Sequence, residues 1–288
     1  MHYAKIAFKL REQIIQFSGE LSSRWPKVAR RFLAEAIYGI QARQSVRLTE
    51  IARALDEKIP LRKTHIRLCR QLGRGDLGEG LRSEIIRKAS REVDKKTLLI
   101  LDLSDITKKY ARKMEYMATV RDGSQKVLGE GYWTCSVIAA EANKPRLIPV
   151  YGELYSQESP DFISENVEII KAFRRVSEAT FKKGIWVLDR GGDRPDLYKH
   201  LLKQKLSFLI RIRDDRPLVF RGRIRDASDL ADHCSLPYME RIVRQEADQE
   251  KAYKLLFGSL SVRLPGHDEP LSLVVIRGFG KKPLMLLT

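Results

Sequence analysis

The chain has little cysteine, no long apolar run, and too few acidic residues to balance its bases. Three cysteines stand among 288 residues, Cys69, Cys135 and Cys234. They are too scattered for a disulfide framework and fit the reduced thiols of a cytosol. No apolar stretch approaches the roughly 18 residues that a membrane span needs. The start, Met1-His2-Tyr3-Ala4-Lys5, lacks the apolar segment of a secretory signal. His65 and Cys69 lie four apart, on one helical face, but no second pair completes a tetrahedral zinc site.

What the chain does have is positive charge: 54 lysines and arginines against 37 aspartates and glutamates, a net of +17. Residues 1–96 carry 22 against 11, a net of +11, and the remaining residues 32 against 26, a net of +6. A field concentrated in the first third attracts polyanions and speeds their association. With 43% hydrophobic and 32% charged residues, the composition is globular.

Residues 1–96 read as a helical, basic DNA-binding domain. Thr49 is suited to cap a helix carrying Ile51, Ala54 and Leu55, and Pro60 marks the next start. Beyond it, Leu61, His65, Leu68 and Leu72 fall on one helical stripe and Lys63, Arg67 and Arg70 on the opposite one, with Gly73 ending the helix. A short helix, a turn and a second helix with a basic outer face resemble helix-turn-helix geometry; an ordinary amphipathic helix with solvated arginines has the same pattern. Gly73–Gly80 reads as a loop or hinge before a further helix near Leu81–Val93.

From Thr97 the period changes. Thr97–Leu103, Trp133–Ala140 and Leu147–Leu154 read as strands, with Asn143-Lys144-Pro145 as a turn. A helix is expected over 162–180, a strand over Gly184–Asp189, a helix capped by Asp193 with Pro195 in its first turn, and a strand over Ser207–Ile212. This order over 97–213 matches a ribonuclease H-like core, a mixed α/β sheet with helices. Residues 214–288 read as a β-rich insertion, with runs at Leu218–Phe220, Met239–Arg244, Lys254–Leu264, Leu271–Ile276 and Leu284–Leu287.

Two apolar runs end on an aspartate: Leu98-Leu99-Ile100-Leu101-Asp102 and Ile185-Trp186-Val187-Leu188-Asp189. Carboxylates at the carboxyl ends of neighbouring strands sit where open α/β sheets hold ligands. Hydrolysis of a phosphodiester needs an activated water and neutralised oxygens, which two divalent ions supply. Mg²⁺ takes a few carboxylates plus waters and phosphates. Asp102 and Asp189 are therefore the candidate catalytic and metal-ligating residues. Asp105 competes with Asp102, but strand alternation puts the two on opposite faces. Among the arginines that follow, Arg211 and Arg213 are spaced to track a phosphate backbone from one side of a strand, or to form a solvated face. Tyr132 and Trp133 are candidates for base stacking or for the core.

The segments Leu101-Asp102-Leu103-Ser104-Asp105-Ile106 and Val187-Leu188-Asp189-Arg190-Gly191-Gly192-Asp193 resemble the first two acidic motifs of bacterial insertion-sequence DDE transposases. Gly131-Tyr132-Trp133, Leu154-Tyr155-Ser156 and Phe208-Leu209-Ile210-Arg211 also stand where that family has similar segments, so the resemblance spans about residues 45 to 288. It implies two Mg²⁺ or Mn²⁺ ions on an Asp-Asp-Glu triad, cleavage at transposon ends, and transfer of the 3′-hydroxyl into target DNA. The implied partners are duplex DNA, both terminal repeats and target, with self-association on DNA. The implied place is the bacterial cytoplasm, at the nucleoid, with no membrane. The family's third acid lies on a helix after the insertion, and the sequence reads as stopping at Thr288 before it. Tyr238, Arg241 and Glu246 imitate that motif inside β-like sequence and are not assigned to it. The alternatives are a DNA-binding remnant that does not cut and a ribonuclease H-like nuclease without strand transfer.

Overall fold

The computed structural model describes residues 3–74, 77–108, 110–111, 113–121, 123, 127–142, 144–246 and 249–288. The chain divides into two compact units, Met1–Lys88 and Ala89–Thr288. The first boundary thus falls before the expected 96/97. The 3-10 turn Ser90–Glu92 belongs to the second unit, where Glu92 pairs with Arg146 at 3.0 Å.

The first unit is built from helices α1 (Tyr3–Leu21), α2 (Lys27–Arg43), α3 (Leu48–Leu55), α4 (Leu61–Leu72) and α5, which begins at Leu77 and ends at Ala89. Leu48, Ile51, Ala52 and Leu55 recur at the spacing of one helical face, which makes α3 amphipathic. They meet Phe32 and Ala36 of α2, Leu68 of α4 and Leu77 of α5 in a single core. Fully burying a side chain such as Leu68, 0% exposed, stabilises by about 1.5–3 kcal/mol. Gly39 permits the crossing of α2 and α3: a Cβ there would stand 2.5 Å from Ile51 Cγ2 and 2.9 Å from its Cα. Gly39→Val is therefore expected to cost about 1–3 kcal/mol by overpacking, read as a lowered urea midpoint of the helical signal.

Three local expectations change here. Thr49 does not cap α3; the helix already starts at Leu48, behind Arg47, because the apolar stripe starts there. Helix α4 buries Thr64, Leu68 and Gln71, whereas Leu61 and Leu72 are exposed. The rotation is fixed by polar contacts: the Thr64 hydroxyl donates to Glu57 at 2.7 Å, and Arg67 pairs with Glu57 at 2.8 Å and Glu35 at 2.5 Å. Of the expected Gly73–Gly80 hinge, Gly75 and Asp76 lie outside the described residues, and Gly78 and Gly80 are inside α5. Gly80 leaves room for the Trp25 ring, 3.2 Å from where its Cβ would be.

The second unit carries a ten-stranded mixed sheet. In chain order come β1 (Leu98–Thr107), β2 (Ala118–Arg121), β3 (Leu128–Ala140), β4 (Leu147–Tyr155), α6 (Glu165–Ala179), β5 (Ile185–Leu188), α7 (Pro195–Lys203) and β6 (Ser207–Arg211). Strand β3 runs antiparallel to both β1 and β4, while β1, β5 and β6 are mutually parallel neighbours in that order. Residues after β6 form β7 (Pro217–Phe220), β8 (Arg223–Asp226), α8 (Ala227–Asp232), β9 (Tyr238–Glu246), β10 (Gln249–Val262), β11 (Leu271–Arg277) and β12 (Leu284–Leu287). Strands β7 and β8 pair with each other in a two-stranded sheet of their own, but β9 to β12 do not stand apart. Strand β12 pairs antiparallel with β6, and β11, β10 and β9 continue the same sheet. Strand β8 and helix α8 were not foreseen, because all four residues of β8 are exposed and carry no apolar alternation.

Helices α6 and α7 cover one face. Phe173 of α6 meets Trp186 edge-on at 4.6 Å, and Tyr198 of α7 meets Phe208 at 5.8 Å. Leu99, Leu101, Trp186, Leu188, Phe208 and Ile210 point to that side and are buried. Strand alternation then sends Ile100, Asp102, Ser104 and Ile106 to the opposite face, where all four are exposed.

Candidate metal centre and nucleic-acid interface

The parallel register of β1 and β5 pairs Leu98 with Ile185 and ends by pairing Leu101 with Leu188. The next residue of each run is its aspartate, so Asp102 and Asp189 stand side by side at the carboxyl end of β5, both exposed. Desolvation, and then the negative charge of Asp189, push the Asp102 carboxyl above its usual range. This electrostatic burden is what a divalent cation would relieve. On the other side of Asp102, Ser136 of β3 is in register, its hydroxyl donating to the Asp102 carbonyl at 3.4 Å.

The two glycines after Asp189 explain the rest of its motif. Residues Arg190–Gly192 form a 3-10 turn, and the Gly191 N–H donates to Asp189 Oδ1 at 2.7 Å. A Cβ on Gly192 would lie 2.5 Å from the Cβ of Leu188, so only glycine lets the turn fold back on β5. One lone-pair direction of Asp189 is thus held by backbone, and its other oxygen has no hydrogen-bond partner among the described residues.

Asp193 is a correction. It neither caps α7, whose preceding residue is Arg194, nor stands near the surface. Its side chain is 0% exposed and accepts from Tyr198 Oη at 3.0 Å, the Arg213 N–H at 2.9 Å and Arg216 Nε at 2.7 Å. Arg216 also donates to the Asp193 carbonyl at 2.6 Å. This buried cluster clamps the end of the Asp189 turn to the segment leaving β6.

The expected phosphate-binding cations divide. Lys63 and Arg70 are exposed and make no ion pair among the described residues. Arg67 is spent on Glu35 and Glu57 and belongs to the helical core's polar frame. Arg211 ends β6, is exposed, and stands in register beside Asp189, since Leu188 pairs with Ile210. Arg213 lies past the strand end, so alternation does not put it beside Arg211, and its Nε sits 3.4 Å from Asp193. Arg190 is a cation that sequence reasoning passed over. With Arg211 it acts on Asp214, whose carboxyl is held low first by the Lys282 hydrogen bond at 2.7 Å, then by the charges of Lys282, Arg190 and Arg211. The aspartate pair is therefore flanked by exposed cations, as a site for a polyanion would be.

The other candidates are placed as follows. Asp105 faces away from Asp102 and accepts from the Gly123 N–H at 3.2 Å. Tyr132 donates to the Glu115 carbonyl at 2.6 Å, and both Tyr132 and Trp133 are half-buried. Asn143 lies outside the described residues. Cys69 Sγ is 3.6 Å from His65 Nε2, and among the described residues no three His, Cys, Asp or Glu are grouped to hold a metal ion. Tyr238, Arg241 and Glu246 lie on β9, five strands from β5, about 24 Å at the usual strand spacing.

No protein-family model matches the chain, and no curated protein matches it. Among solved structures, the chain is similar to a cryo-EM structure of a piggyBac transposase synaptic complex with hairpin DNA, with a TM-score of 0.45 and 12% identity. The likeness covers 97% of this chain and 58% of that one, so this chain spans less than two thirds of the neighbour's length.

Proposed function

We propose that the chain is a DNA transposase of the DDE type, with Asp102 and Asp189 as metal ligands at phosphodiesters of transposon ends and target DNA. The observation that carries this reading is the register that sets the two carboxylates side by side on a cation-flanked sheet face. The connectivity of β1, β3, β4, β5 and β6, three antiparallel and then parallel neighbours, supports a ribonuclease H-like core. The donor set suits Mg²⁺ or Mn²⁺, since hard cations take carboxylate oxygens and leave positions for water and phosphate. Such ions, when bound, activate water and neutralise charge on attacking and leaving oxygens.

The protein's own groups do the positioning. Asp102 offers its oxygens from β1 and Asp189 from the residue that follows the adjacent strand β5. Gly191 fixes one oxygen of Asp189. Arg190 and Arg211 draw the phosphate backbone toward the pair. In the first unit, the exposed Lys63 and Arg70 are the phosphate-contacting cations of α4, which in this reading stands second in a helix-turn-helix arrangement behind α3.

Each neutralised phosphate adds about 0.9 to the slope of log K against log salt. Replacing Lys63 and Arg70 by alanine is expected to flatten that slope by about 1.8, measured by fluorescence anisotropy on duplex DNA. Adding Arg67→Ala should instead lower stability, because it breaks the pairs with Glu35 and Glu57. A slope unchanged by the double substitution would remove α4 from the interface. A second reading, a chain that binds DNA without cutting, is favoured by the donor set itself: among the described residues no third acid joins the pair. Supercoiled DNA incubated with Mn²⁺ separates the two. Nicked circles that disappear with Asp189→Asn mark the enzyme; binding without nicks marks the second reading.

A further inference from the structure

Strand β9 ends the sheet, and β10 is its one strand neighbour among the described residues. Its pairing with β10 runs without a bulge from Tyr238↔Phe257 to Glu246↔Gln249. Alternation in an antiparallel ladder turns every second backbone outward. The Arg241 N–H shows which: it finds no strand but the Oε1 of its neighbour Glu240, at 3.3 Å. Met239, Arg241, Val243 and Gln245 thus turn backbone groups to the rim that no strand among the described residues pairs. Edges of this kind are usually blunted by proline, bulges, brevity or charged side chains. This one is nine residues long, contains no proline, and exposes Tyr238 by 61%, Met239 by 53% and Val243 by 64%. Its charges, Glu240 against Arg241 and Arg244, are of both signs and so can pair across a two-fold axis.

We propose that this edge is an interface for a second copy of the chain, formed by antiparallel pairing of β9 with β9 about a two-fold axis at Ile242. A two-fold interface must be self-complementary. In this register Arg241 lies opposite Val243 of the second copy and Met239 opposite Gln245, so the outward backbone groups meet one another. Ile242 meets Ile242. Glu240 lies opposite Arg244, and the symmetry makes that pair twice. Shifting the axis to Arg241 would put two arginines face to face and forfeit both pairs.

The monomer carries a reason to want this partner. Within the hairpin, Arg244 is directly opposite Lys251 and Arg241 directly opposite Lys254. Like charges in such pairs are destabilising. Among the described residues Arg244 makes no ion pair; Glu240 of the second copy supplies a carboxylate, while the Arg244 guanidinium stays stacked on Phe279, 4.6 Å from the ring centroid. Backbone bonds give the affinity and the charge pair fixes the register, as in strand addition generally.

The test is sedimentation velocity of the full chain, without DNA, so that its outcome is independent of the DNA reading. A concentration-dependent dimer is expected. Val243→Pro removes an outward N–H and leaves the ladder to β10 whole, so it should yield monomer. Glu240→Arg should raise the dimer dissociation constant about tenfold by placing arginine against arginine, and so should Arg244→Glu by the mirror change. Combining the two swaps restores complementarity and should restore the dimer. Should Val243→Pro disturb folding by circular dichroism, the charge swaps, at exposed positions, decide alone. A chain that stays monomeric overturns the proposal. So does a dimer insensitive to Val243→Pro, or a double swap no tighter than either single one, which would point to another surface or a foreign strand as the occupant.

Discussion

Saturating Mn²⁺ is expected to stabilise the chain by about 2.7 kcal/mol once its free concentration reaches a hundred times the dissociation constant. Asp102→Asn is expected to abolish that gain. The register of β1 and β5 forces two carboxylates together whether or not a cation lies between them. Without metal the pair is a cost. Burial and the charge of Asp189 raise the Asp102 pKa in the folded state, so the proton is held more tightly folded than unfolded. The metal-free chain therefore loses stability as pH rises from the ordinary aspartate range, about 3.9, through the raised value. Asp102→Asn removes that loss: the metal-free variant should melt higher than the parent at neutral pH and gain no stability from Mn²⁺. Thermal melts with and without Mn²⁺ check both signs. A metal-free variant that melts lower, or a variant that Mn²⁺ stabilises as much as the parent, contradicts the assignment.

How much of this was legible in the sequence depended on the range of the interactions. Strands β11 and β12 and helix α4 were readable almost to the residue, because alternation and a terminal glycine are local signals. The two aspartates were readable because each closes an apolar run. That they face the same side followed only from the strand order, which no local pattern encodes. Arg67 shows the limit. Its spacing put it with Lys63 and Arg70 on the outer face, yet its partners Glu35 and Glu57 stand 32 and 10 residues away. Asp193 shows it again. Aspartate before Pro195 has the local look of a helix cap, and the arginine that claims it comes 23 residues later. The extension of the sheet by residues beyond β6 was hidden for the same reason. Short alternating runs predict strands, not the edge on which they add.

Arg216→Met is expected to cost about 3–5 kcal/mol. The pair it breaks is fully enclosed: the Asp193 side chain is 0% exposed and that of Arg216 8%. Removing the guanidinium leaves a carboxylate away from water with only the Tyr198 hydroxyl, the Arg213 N–H and the distant Arg213 side chain to hold it. It also frees the Asp193 carbonyl, which accepts from Arg216 at 2.6 Å. Replacing both partners, Asp193→Leu with Arg216→Met, should recover part of the loss, since no unpaired charge then remains, although Tyr198 and Arg213 each lose an acceptor. Urea unfolding of the two single variants and the double one measures the coupling directly. The consequence reaches the metal site. Asp193 ends the turn that begins at Asp189, and its backbone N–H donates to the Arg190 carbonyl at 3.3 Å. A turn loosened at Asp193 leaves Asp189 without a fixed orientation, so Arg216→Met should also weaken Mn²⁺ binding at a temperature where the chain remains folded. Additive losses in the double variant, or full Mn²⁺ affinity in Arg216→Met, would mean that the clamp and the carboxylate pair are independent.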